Sequence, residues 1–134
     1  MITEDYISFE TAKLLKERGF NGLCTAYYDC FTTDNFHCGY EPTDFNSIDT
    51  KIRNIVAAPT LQMAMKWLRE EHNLHCNSDY DIILGWYCQI TSLTETVEYD
   101  YEEMKHYHPD NDHGFSSSAE ACEAAIKYCL ENLI

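Results

Sequence analysis

The residues best suited to chemistry in this 134-residue chain lie in one stretch, His106-Tyr107-His108-Pro109-Asp110-Asn111-Asp112-His113. Imidazoles two positions apart project to the same side of an extended segment. With His106 and His108 so placed, Asp112 and His113 could complete a set of nitrogen and carboxylate donors for zinc or a similar divalent ion. The spacing matches no established metal motif, and a polar His/Asp loop is usually just solvated. A second cluster, His72, His75 and Cys76, closes a helical stretch, where a histidine also interacts favourably with terminal carbonyls. No Cys-x-x-Cys occurs, which disfavours a zinc ribbon. Of the seven cysteines, Cys122 and Cys129 read as helix core and Cys88 as one face of a strand. Cys24, Cys30 and Cys38 fall in less regular segments and are the better candidates for exposure. None is singled out as a nucleophile by its neighbours. Nucleophile-elbow, Walker and dinucleotide signatures are lacking, so no catalytic residues are assigned and the chain leans away from being an enzyme.

The other chemical feature is charge. There are 23 acidic residues against nine Lys and Arg, for a formal net charge of -14. Such a chain repels phosphate backbones and anionic bilayers, which excludes direct nucleic-acid binding and membrane docking as first readings. Nine of the acids lie between Asp79 and Asp112, where Lys105 is the one cation. In Val97-Glu98-Tyr99-Asp100-Tyr101 acid alternates with apolar residues, and Glu102 and Glu103 follow. Glu98, Tyr99, Asp100, Tyr101, Glu102 and Glu103 therefore form the candidate interaction surface for a basic protein partner, although a charge run is commonly just a solvated face.

These residues need a scaffold, and 45% hydrophobic with 24% charged residues is the composition of a globular chain. A first helix starts at the N-cap Ser8, with Ile7 and Ala12 placed as a hydrophobic staple, buries Phe9, Ala12 and Leu15, and stops at Gly19 with Phe20 folding back on Leu15. The clearest helix covers Ala58–Asn73, with Pro59 at its first position, Leu61, Ala64, Met65 and Leu68 on one face, and Asn73 as its left-handed terminator. Trp67 lies off that stripe and is expected to pack rather than bind. A third helix opens with the capping box Ser117/Glu120, and its small residues Ala121, Cys122, Ala124 and Ala125 would let it approach a sheet closely. Strands are expected within 23–31, around 36–40, in 51–57, in 82–90 and in 97–101. Asn77-Ser78-Asp79 and Thr94-Glu95-Thr96 read as turns. The last two strands form an antiparallel hairpin, one face of which, carrying Glu98 and Asp100, stays open.

The expected fold is α+β in one domain: three helices on a small, mainly antiparallel sheet, in the order helix, strands, helix, hairpin, helix. The odd cysteine count and an acidic beginning unlike a signal peptide imply reduced thiols in a cytosol. No apolar run approaches the roughly 18 residues of a membrane span.

Three stretches, Ile7 to Phe20, Ala58 to Glu70 and Ala119 to Glu131, together resemble a group of small uncharacterised proteins of phages and prophages of gut Bacteroidetes. The resemblance implies a virus-associated, cytosolic setting and brings no catalytic residues with it; no cofactor is expected, a divalent metal being the alternative. The function expected is a non-enzymatic acidic protein binding a host or defence protein. The alternatives are sequestration of a small ligand in a Tyr/Trp-lined pocket, for which a homo-oligomer interface is a natural place, or a divalent-metal-dependent enzyme using His106, His108, Asp112 and His113.

Overall fold

The computed structural model describes residues 3–32, 35–104, 107 and 114–134, with Tyr101 described for its backbone. The chain is α+β, with two three-stranded antiparallel sheets where the sequence suggested one. It divides into two compact units, residues 1–64 and 65–134, each holding one sheet.

In the first unit, helix α1 (Phe9–Glu17) begins where expected: Ser8 Oγ accepts from the N–H of Thr11, and the staple residues Ile7 and Ala12 are fully buried. Such a cap is worth about 1 kcal/mol. At the other end Gly19, at φ +89°, lets its own N–H reach Lys16 O and that of Phe20 reach Leu15 O, which satisfies carbonyls that a helix end leaves unpaired. The sheet has the order β2-β1-β3, from β1 (Cys24–Asp29), β2 (Phe36–Thr43) and β3 (Ile55–Ala57). β2 is longer than the short return strand expected, and residues 39–42 bulge out between the pairs Ala26↔Cys38 and Cys24↔Thr43. The bulge, Glu41 and Pro42 blunt this exposed edge. β3 is shorter than expected because residues 50–52 form a turn. Asn46, in a 3-10 turn over Phe45–Ser47, ties the unit together: its amide donates to Phe20 O and its Oδ1 accepts from the N–H of Ala57.

Helix α2 (Leu61–His72) starts in the first unit and continues into the second. Thr60, not Pro59, governs its start. Thr60 Oγ1 accepts from the N–H of Met63, and the N–H of Leu61 donates to Asp5 O. Pro59 precedes the cap as part of an extended segment, its carbonyl accepting from the N–H of Ile7. Leu61, Ala64, Met65 and Leu68 are buried as the apolar stripe requires, and Asn73 ends the helix at φ 56°.

The second unit is built on β4 (Leu74–Asp81) and β5 (Gly85–Ser92), paired without interruption from Leu74↔Ser92 to Asp81↔Gly85. Asn77-Ser78-Asp79 is thus strand, not turn, and the reversal occupies Ile82-Ile83-Leu84, which composition had assigned to a strand. The physical reason is Asp81. Its Oδ1 accepts from the N–H groups of both Ile83 and Leu84, and Gly85 follows at φ +97°. A short β6 (Glu98–Tyr99) adds to β5. It stops there because Asp100 and Glu103 cap a helical turn, α3 (Tyr101–Met104): Asp100 Oδ1 accepts from the N–H of Glu102 and Glu103 Oε2 from that of Asp100. Helix α4 (Ser118–Tyr128) packs on β4 and β5 through Ala121, Cys122, Ala124, Ala125 and Ile126. Ser117 Oγ caps it by accepting from the N–H of Glu120, whose carboxylate reaches back to the N–H and Oγ of Ser116. A π-helical turn (Cys129–Leu133) finishes the chain.

Gly114 joins α4's approach to the hairpin. Its N–H donates to Leu84 O and that of Phe115 to Trp86 O, and a Cβ at Gly114 would collide with both carbonyls. Gly114→Ala should therefore destabilise the protein by about 1–3 kcal/mol, the range of overpacked sites. Gly39→Ala, where a Cβ would meet only Thr25 O at 3.7 Å, should change little. Urea denaturation of the two variants measures the difference.

Candidate functional site

Strand alternation in β4–β5–β6 decides which side chains are available to a ligand. Leu74, Cys76, Ser78 and Tyr80 of β4 share the face of Trp86, Cys88 and Ile90 of β5, and this face meets α4. The Ser78 and Ser118 hydroxyls are 2.7 Å apart, and the Sγ atoms of Cys76 and Cys129 3.8 Å. The opposite, outer face carries His75, Asn77 and Asp79 from β4, paired with Thr91, Gln89 and Tyr87 from β5, and Glu98 from β6 opposite Thr91. Asn77, Asp79 and Glu98 are exposed and the others half-buried. The face is polar, with two carboxylates. It belongs to the more acidic unit: residues 65–134 hold fourteen acidic and four basic residues, residues 1–64 nine and five. Between Arg69 and Lys105 there is no Lys or Arg at all.

The six residues expected to form one surface are sorted by this geometry. Glu98 stands on the outer face. Tyr99 turns inward, its ring 5.7 Å from that of Tyr128. Asp100 and Glu103 are engaged in capping α3, whose Met104 is buried with its sulfur 3.2 Å from the Cys88 thiol. Glu102 is exposed, and the Tyr101 backbone opens α3. The outer-face partners of Glu98 were not singled out, because Asn77 and Asp79 looked like turn residues. The alternation of His75, Asn77 and Asp79 with Leu74, Cys76 and Ser78 was the available signal.

His106, His108, Asp112 and His113 lie outside the described residues. In that stretch Tyr107 is described: its hydroxyl donates to Glu131 at 2.8 Å, and burial together with that carboxylate pushes its pKa up. The second candidate cluster is taken apart by the strand: His72 packs edge-on against Trp67, His75 is on the outer face and Cys76 on the inner one. Among the described residues no group of three or more His, Cys, Asp or Glu is placed to hold a metal.

Four of the thiols are pushed toward their protonated form. Cys24, expected among the more accessible, is buried inside the first unit and its pKa is pushed up by burial to about 11. Burial likewise raises Cys88 to about 12 and, less strongly, Cys30. Cys129 is raised by its contact with Cys76 and by burial. Cys38 is exposed, its Sγ 3.7 Å from the Tyr6 hydroxyl. A concavity of about 560 Å³ lies at the β5–β6 connection, lined by residues 91–98, with no Tyr or Trp in its wall.

The fold and the site define an α+β chain whose second sheet turns one face to a helix and the other, polar and acidic, outward. No protein family, curated protein or solved structure matches it. Among the described residues, no helix is long and apolar enough to cross a membrane.

Two outcomes follow from this geometry. Brief alkylation of the native protein at neutral pH should modify Cys38 first. Cys24, Cys88 and Cys129 should react only after unfolding, because they are both covered and protonated; mass spectrometry of the digested protein reads the order. The backbone N–H groups of Leu84 and Ile83 hold the Asp81 carboxyl below its ordinary value. Its contribution to the turn is therefore complete above the unfolded value of about 3.9 and is lost as pH falls through the lower folded value. The Ile83 and Leu84 amide resonances should titrate together in that acidic window, and in Asp81→Asn they should not.

Proposed function

We propose that this chain is a non-enzymatic binding protein that engages a basic surface on a protein partner through the outer face of β4–β5–β6. The observation that supports the reading most directly is the make-up of that face: Asp79 and Glu98 exposed beside Asn77, Gln89, Thr91 and Tyr87, with no Lys or Arg in the sequence from Glu70 to Met104. Opposed charge steers such an encounter and rejects acidic competitors, while the uncharged side chains supply hydrogen bonds at the contact. Glu102, exposed on α3 three residues after Tyr99, adds a further carboxylate close in sequence to that sheet.

The resemblance to small phage and prophage proteins supplies the setting, so the partner proposed is a host or defence protein met in the cytosol. A metal-dependent enzyme on the His106–His113 loop and a small-ligand carrier are the competing readings. For the carrier, the concavity at residues 91–98 offers no aromatic wall against which a flat ligand could stack.

The test is affinity capture from a lysate of the host with the wild-type chain and with Asp79→Lys/Glu98→Lys. Neither substituted side chain caps a helix, so the fold should persist. The expected result is a partner that elutes with added salt and is lost, by tenfold or more, with the double variant. A partner retained equally by the variant would sink the outer-face reading. Co-purification of a stoichiometric small molecule or metal would favour a competitor.

A further inference from the structure

The turn between β4 and β5 is apolar although it follows directly on Asp79 and Asp81. Ile82 and Ile83 are 90% and 93% exposed, and Tyr80 just behind them 54%. Single exposed apolar residues need no explanation, but two adjacent isoleucines held almost wholly in water leave apolar area whose burial would be favourable.

This turn is also stiff. Asp81 Oδ1 accepts from the N–H of Ile83 at 2.8 Å and of Leu84 at 2.9 Å, and Gly85 takes a left-handed conformation. Behind it Tyr80 and Trp86 pack edge to face at 5.3 Å, and the N–H of Gly114 fastens Leu84 O at 2.8 Å. An apolar element already held in one conformation loses little entropy on binding, which is the property of an anchor residue.

The electrostatic surroundings narrow what it can anchor to. Asp79 and Asp81 lead directly into the turn, and the nearest Lys or Arg in sequence on either side are Arg69 and Lys105. A second copy would bring the same carboxylates together on chains of net charge -14, and an anionic bilayer would be repelled in the same way. We propose that Ile82 and Ile83 form an anchor that inserts into an apolar socket rimmed by Lys or Arg on a protein partner. The anchor rests on the binding function proposed above and names its central contact.

The probe is a displayed library of random peptides, selected on the immobilised full chain. Enriched sequences are then synthesised and titrated against wild type, Ile82→Ser/Ile83→Ser and Glu98→Lys. The serine substitutions keep the backbone N–H groups that Asp81 binds, and circular dichroism and thermal melting verify that the variant is folded. The expected peptides combine Lys or Arg with bulky apolar residues, weaken with salt, and lose tenfold or more in affinity to the serine variant. Peptides that lose affinity to Glu98→Lys but keep it with the serine variant would overturn the anchor and leave the acidic binding face standing. Peptides indifferent to both variants would overturn both. A self-association of the wild type that the serine variant abolishes, or binding to neutral phosphatidylcholine vesicles, would also overturn the basic-rimmed socket.

Discussion

The register of β4 against β5 is the constraint on which the second unit depends. Side chains alternate with period two, so a slip of β4 by one residue against β5 would send Leu74 and Cys76 into water and bring Asn77 and Asp79 against α4. Burying a Leu or Ile side chain is worth about 1.5–3 kcal/mol, so such a slip is strongly resisted. Both ends of the ladder are pinned as well. Asn73 reverses the chain at φ 56° and its carbonyl accepts from the N–H of Leu93, while Asp81 and Gly85 fix the turn. Gly114 then locks the turn to the approach of α4 through a contact in which no larger residue fits.

The same alternation sorts the chemistry-bearing residues. His75 and Cys76 are neighbours in sequence and on opposite faces in the structure, which dissolves the most compact His/Cys cluster among the described residues. Glu98 and Tyr99 part in the same way, one to the outer face and one to Tyr128. Residues that look like one acidic, aromatic surface therefore do two jobs. Glu98 is offered outward, while Tyr99, Asp100 and Glu103 hold β6 and α3 in place. Tyr28 likewise serves the fold, its hydroxyl donating to Ile7 O at 2.7 Å.

What was legible in the sequence was local. The Ser8 and Ser117 caps, the Gly19 and Asn73 terminators and the apolar stripe of α2 are each set by residues within one or two turns of helix, and they stand as read. The class, α+β, follows from them together with the β-forming segments that lie between the helices. The β4 strand was hidden because Asn77, Ser78 and Asp79 favour turns when alone, and pairing with Gln89, Cys88 and Tyr87 overrides that preference. Ile82-Ile83-Leu84 was misplaced for the opposite reason: three apolar residues resemble a strand, yet the Asp81 and Gly85 that bracket them carry the turn. The end of β6 was readable in principle from Asp100 and Glu103, spaced as a capping box. Asn46 had no such signal, because its two partners, Phe20 and Ala57, lie far off in sequence.

Charge and exposed apolar area together constrain the function more than either does alone. Fourteen acids against four Lys and Arg in residues 65–134 cannot be neutralised within that unit, and exposed pairs such as Lys66–Glu70, at 3.9 Å, contribute little. Self-repulsion of that size works against the compact state, so the acids are not there for stability. Solubility would account for them by itself. It would not account for Ile82 and Ile83, which work against solubility at the position where the turn is most tightly held. A stiff apolar pair set among carboxylates is costly to a chain that only has to stay dissolved. It is useful to one that must first attract a basic surface and then bury something against it, because long-range attraction and short-range desolvation then act at the same place.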